Sequence, residues 1–91
     1  MSVISVKIVT FNAAGRDFSI CYRLHISDLA NGSRCYGVSV DNDRTGEVSW
    51  IRDLTSSREQ AERFFLRIIK GRVTPLHLHD LAEDFVTWNS L

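Results

Sequence analysis

The stretch Phe18-Ser19-Ile20-Cys21-Tyr22-Arg23-Leu24-His25-Ile26-Ser27 decides the architecture. Its apolar residues recur at every second position, the period of a strand that buries one face and shows the other to water. The same alternation runs backward through Ile4, Val6 and Ile8, and forward through Tyr36, Val38 and Val40, then Val48, Trp50 and Leu54. All of these core candidates carry even numbers. Directly opposed residues of an antiparallel pair share a face, so a meander keeps one parity only when each loop has an odd number of residues. Three candidate loops satisfy this: Asn12 to Arg16, Ala30-Asn31-Gly32 with Gly at its left-handed position, and Arg44-Thr45-Gly46. The reading is four antiparallel strands near 3–11, 17–28, 34–41 and 47–53, with an even buried face and an odd open one. In this register Lys7, Cys21 and Asp41 share a row of the open face, followed by Ser5, Arg23 and Ser39, and then by His25 and Gly37.

After residue 55 the period changes. Ser56-Ser57-Arg58-Glu59 reads as a capping box, with the Ser56 hydroxyl reaching the Glu59 amide. Ala61, Phe64, Phe65, Ile68 and Ile69 then make one apolar helical stripe, and Gly71 suits the left-handed position that ends it. Thr74-Pro75 restarts a helix, Thr as cap and Pro in the first turn, with Leu78, Leu81, Ala82, Phe85 and Trp88 as its stripe. The expected fold is α+β: a four-stranded antiparallel meander followed by two helices packed on one face, a ββββαα two-layer sandwich in a single domain spanning 1–91.

The totals narrow the function classes. Ninety-one residues at 44% hydrophobic and 24% charged support one modest core without metal or disulfides. The formal net charge is zero, which disfavours nucleic acid as a main partner, although nine of the eleven basic residues are Arg. No stretch approaches the roughly 20 apolar residues of a membrane span, and Met1 to Lys7 does not read as a secretory leader. Cys21 and Cys35 are too few for a disulfide framework and should be free thiols, so the cytoplasm is the expected compartment.

Thr74-Pro75-Leu76-His77-Leu78-His79-Asp80-Leu81-Ala82-Glu83-Asp84-Phe85 resembles the C-terminal signature "SPIHLxDVxEDF" of a family of short bacterial proteins, mostly clostridial, catalogued only as a domain of unknown function. Tyr36-Gly37-Val38-Ser39-Val40 resembles that family's strand motif, and Asp53-Leu54-Thr55 its helix start. The resemblance covers roughly residues 34 to 86 and departs at His79. It implies no activity, cofactor or partner, but it draws attention to His77, Asp80, Glu83 and Asp84.

On a helical wheel His77, Asp80 and Asp84 lie along one side, while His79 and Glu83 pair on the other. The first three are candidate ligands for a divalent metal, or an acid–base His with its carboxylate. The competing reading is stabilisation of the helix start, worth roughly 0.3–1 kcal/mol for each acid in the first turns. On the open sheet face, Arg23 and His25 are candidate ligand or partner residues. Cys21 beside Lys7 is a weak candidate nucleophile, lacking a His in its row. Arg63, Arg67 and Lys70 form a basic stripe that reads as a solvated helix face, and Trp50 and Trp88 read as core aromatics. No nucleophile, base and oxyanion site converge. The expectation is therefore a small non-enzymatic interaction or regulatory module with no cofactor, with an enzyme centred on His77 and Asp80 as the alternative. The first strand is apolar on both faces near its end, through Val9 and Phe11, and bears one charge, Lys7. If it lies at the sheet edge it invites a two-fold partner, so a homodimer is expected.

Overall fold

The computed structural model describes residues 2–90, and for residues 86–90 the backbone alone. Strands β1 (Ser2–Ala13), β2 (Arg16–Asp28), β3 (Arg34–Asn42) and β4 (Val48–Thr55) form one antiparallel sheet in the order β1-β2-β3-β4. Helices α1 (Arg58–Lys70) and α2 (Pro75–Ser90) follow and cover the face formed by β2, β3 and β4. The α+β meander with two helices on one face is the architecture expected from the periodicity.

The middle hairpin has the expected register. Leu29 donates its N–H to the Ser33 carbonyl at 2.8 Å around the three-residue loop, and Gly32 takes the left-handed conformation at φ 84°. Tyr22 therefore opposes Val40 and Leu24 opposes Val38, all four fully buried, while Cys21 opposes Asp41 and Arg23 opposes Ser39 on the open face.

The first hairpin differs. Its loop is Ala14-Gly15, closed by the Ala13–Arg16 pair, with both loop residues at positive φ (53° and 77°). This is the type I′ arrangement, whose twist matches that of the strands and outcompetes a looser five-residue loop. Two is an even number, so the parity of β1 inverts. Ile8 opposes Cys21 and Val6 opposes Arg23, which puts both on the open face. Lys7 opposes Tyr22, away from the thiol it was expected to adjoin. Val9 and Phe11 turn inward instead, half-buried against the core, with Phe11 stacked on Phe18 at 5.2 Å. A bulge between Val3 and Ser5 lets Ile4 keep its expected inward side.

The third hairpin also corrects expectation. The loop runs from Asp43 to Gly46, four residues, because the Asn42 and Thr45 side chains accept the Arg44 and Glu47 amides at 3.0 and 3.2 Å and stabilise the longer turn. Trp50 now opposes Ser39 and Val48 opposes Asp41, both on the open face, while Ile51 opposes Val38 and packs inward. A second irregularity, between Tyr36 and Val38, returns Leu54 to the core. Gly37 sits at this break, and a Cβ there would collide with the carbonyl oxygens of Ile51 and Arg52.

The α1 cap is Ser57 rather than Ser56. Its hydroxyl accepts the Gln60 amide at 3.3 Å, and Thr55 Oγ1 accepts the Ser57 amide while donating to Gln60 Oε1. Ala61, Phe64, Phe65 and Ile68 are buried as the stripe requires. At the other end Gly71 has φ −80°, and Arg72 takes the left-handed position at φ 51°. Val73 donates to the Ile68 carbonyl and Arg72 to that of Ile69, a Schellman pair whose buried Val73 follows the left-handed residue. The break is thus placed by the burial of Val73, one residue beyond the glycine. Tyr22 donates its phenol to the Val73 carbonyl at 2.9 Å, tying the sheet to the helix junction. Pro75 opens α2 as expected, with Leu78 and Ala82 buried and Phe85 tilted against Phe64 at 5.1 Å. Trp88 lies outside the described side chains.

Candidate functional site

The open face of the sheet is where the polar candidates meet. In an antiparallel sheet, side chains reach diagonal as well as direct partners, and two diagonal pairs form here. Arg23 Nη1 donates to Asp41 Oδ2 at 2.7 Å, and His25 Nε2 lies 2.8 Å from Ser39 Oγ. Opposite His25 stands Gly37. Trp50 of β4 stacks on the imidazole at 4.5 Å, and the Arg52 guanidinium lies 5.8 Å from the indole centre. His25 and Ser39 are consequently 4% and 1% exposed on a face with no helix over it.

Burial pushes the His25 pKa below the ordinary imidazole value, and the neighbouring Arg23 charge pushes the same way. Both effects favour the neutral ring, which shares one hydrogen bond with Ser39. Burial likewise raises the Cys21 thiol, opposed in part by Arg23, and raises Cys35, aided by Asp53. Both cysteines are free and both shifts favour the thiol over the thiolate, so Cys21 lacks both the neighbouring lysine and the lowered pKa that nucleophilic chemistry requires. Asp41 raises Arg23 through their hydrogen bond, making the pair a neutral unit.

Around this satisfied polar centre stand apolar groups that are open to solvent: Val6 (53%), Ile8 (60%), Val48 (54%) and Trp50 (37%). No described buried side-chain N or O atom lacks a hydrogen-bond partner. The face thus has a neutral floor and apolar rims on both sides, β1 and β4.

The α2 candidates do not gather. His77, Asp80, Glu83 and Asp84 are all exposed, as is His79. Among the described residues no group of three or more His, Cys, Asp or Glu could hold a metal ion. The basic stripe of α1 is largely a solvated face: Arg63 pairs with Glu59 at 2.7 Å and Arg58 with Glu62 at 2.9 Å. Arg63 and Arg67 also line a shallow cleft of about 230 Å³ with Gln60, Phe64 and Phe85.

Sequence reasoning found Arg23 and His25 and the rows they share with Ser39 and Gly37. It missed Trp50, Val6, Ile8 and Val48 as surface residues. The available signals were the Ala-Gly pair at 14–15, suited to a two-residue turn, and Asn42, whose side chain favours the longer third loop.

No described helix is long and apolar enough to cross a membrane. No curated protein and no solved structure matches the chain. One family model does, over residues 1–88, and the chain therefore belongs to that family of unknown function, DUF6514.

Proposed function

We propose that the protein is a small non-enzymatic interaction module that self-associates as a homodimer through exposed apolar surface of its sheet. One observation carries this reading: Val6, Ile8, Val48 and Trp50 stand exposed around a polar centre whose groups already satisfy one another. A catalytic or ligand-binding centre keeps polar groups free to engage substrate, whereas Arg23, Asp41, His25 and Ser39 are engaged internally. The charges at the centre of the face, Arg23 and Asp41, already pair with each other, so a second copy suits it better than a strongly charged partner such as nucleic acid. Exposed apolar groups on both borders of an internally satisfied polar centre are surface that a protein partner can bury. The two free buried thiols suit a reducing compartment, and we place the module in the cytoplasm, in a bacterium of the kind its helix signature resembles.

Sedimentation velocity between about 1 and 100 µM tests the reading. A concentration-dependent dimer that Val6→Asp with Ile8→Asp converts to monomer is the expected result. A strict monomer throughout that range would sink it.

A further inference from the structure

We infer that the two copies join edge to edge along β1, in antiparallel fashion, giving one continuous eight-stranded sheet. This rests on the self-association proposed above and names its geometry.

Three features of β1 point there. It is the first strand in the sheet order, so the backbone groups along its outer side have no strand partner among the described residues. It is long, 12 residues, contains no proline, and Lys7 is its only charge. Its two faces are both poorly covered: Val3, Val6 and Ile8 are exposed on the open side, and Ile4, Val9 and Phe11 are only half-buried on the other, because the helices pack over β2, β3 and β4. Natural edge strands are normally shortened, charged, bulged or covered to prevent strand addition. In β1 the single bulge lies at one end, between Val3 and Ser5, and leaves a regular ladder from Ser5 to Ala13.

A second β1 meets all three needs at once. Two-fold antiparallel pairing supplies the missing backbone hydrogen bonds, sets Val6 and Ile8 of both copies side by side, and brings the two half-covered inner faces together. The one charge of each strand, Lys7, is accommodated when the axis does not place one Lys7 directly against the other, since like charges directly opposed are unfavourable. Size favours a reversible dimer. A strand of this length runs about 40 Å, and a seam about 10 Å deep presents roughly 400 Å² per copy in projection, at the low end of specific interfaces. A contact of this size suits a transient, concentration-dependent dimer rather than an obligate one.

The test is a single-cysteine scan from Ser5 to Thr10 in a Cys21→Ala, Cys35→Ala background under mild oxidation, with sedimentation run in parallel on the reduced variants. The expected result is a sharp maximum of intermolecular disulfide at one or two positions, at least tenfold above positions two residues away, because only residues near the axis meet their own copies within bonding distance. Trp50→Ala should then leave the dimer constant within about threefold. A dimer with a flat, low cross-linking profile that Trp50→Ala dissolves would overturn edge pairing and leave face-to-face packing of the open sheets. The absence of any dimer would instead remove the underlying reading of self-association.

Discussion

β1 and β4 both border the sheet, but the chain treats them differently. β4 is eight residues long, carries Arg52 and Asp53, is broken by the irregularity opposite Gly37, and lies beneath α2. β1 is half as long again, bears one charge, and is covered by the helices far less than the other three strands. The irregularity of β4 is enforced by packing, since the backbone of Ile51 and Arg52 crowds so closely on Gly37 that a side chain there has no room. Nothing comparable bends β1 between Ser5 and Ala13. One edge is closed by its own geometry, and the other is available.

The contrast breaks first at Gly37. Gly37→Ala should cost about 3 kcal/mol, roughly 12–24 °C in Tm for a domain of this size, because the colliding atoms are backbone and cannot rotate away. A thermal melt showing a change of less than about 2 °C would mean that β4 can slide, and that its edge is no better defended than that of β1.

At the other edge the expected effect is on association rather than folding. Val6 and Ile8 are more than half exposed, so Val6→Asp with Ile8→Asp should alter monomer stability by no more than about 0.5 kcal/mol per site in urea titration. The same variant should weaken the dimer more than tenfold in sedimentation. A large loss of stability with unchanged association would show that these side chains serve the fold.

Acid probes the ground between the edges. His25 lies beneath Trp50 of β4 and opposite Val3 of β1, with Arg23 on its own strand, Asp41 bound to Arg23, and Arg52 beside Trp50. Its folded pKa lies below the ordinary 6.5, so the folded state holds fewer protons than the unfolded one once pH drops beneath that value. Stability from the neutral ring is thus fully present above pH 6.5 and declines as pH falls from there toward the folded pKa. Urea midpoints of the wild type and His25→Gln should differ most near pH 7.5 and converge in acid. Parallel curves would assign the acid response to the carboxylates.

The smallest effect belongs to the turn that sets β1 in place. Ala14 occupies the left-handed position where Asn is favoured in a type I′ turn, so Ala14→Asn should raise stability by about 0.5–1 kcal/mol and leave the dimer intact. Destabilisation by the same change would show that the β1–β2 turn is not held as described.

Local chemistry alone determined a good deal of this protein. Period-two alternation and then helical spacing specify four strands and two helices, because side-chain direction follows directly from backbone repeat. Gly32 specifies the middle turn, and with it the rows that join Arg23 to Ser39 and His25 to Gly37. The partners of β1 and β4 were beyond such reasoning. Each depends on whether a loop holds an odd or an even number of residues, and one residue either way turns a whole strand over. Val6, Ile8 and Trp50 read as core from their spacing. They face solvent because the Ala14-Gly15 turn and the Asn42-capped loop each hold an even number of residues. The same holds at the end of α1, where the buried side chain of Val73 places the left-handed residue at Arg72 instead of Gly71. The exposure of β1 was likewise decided only in the assembled fold, because two helices of 13 and 16 residues cover three strands of the sheet and leave the fourth open.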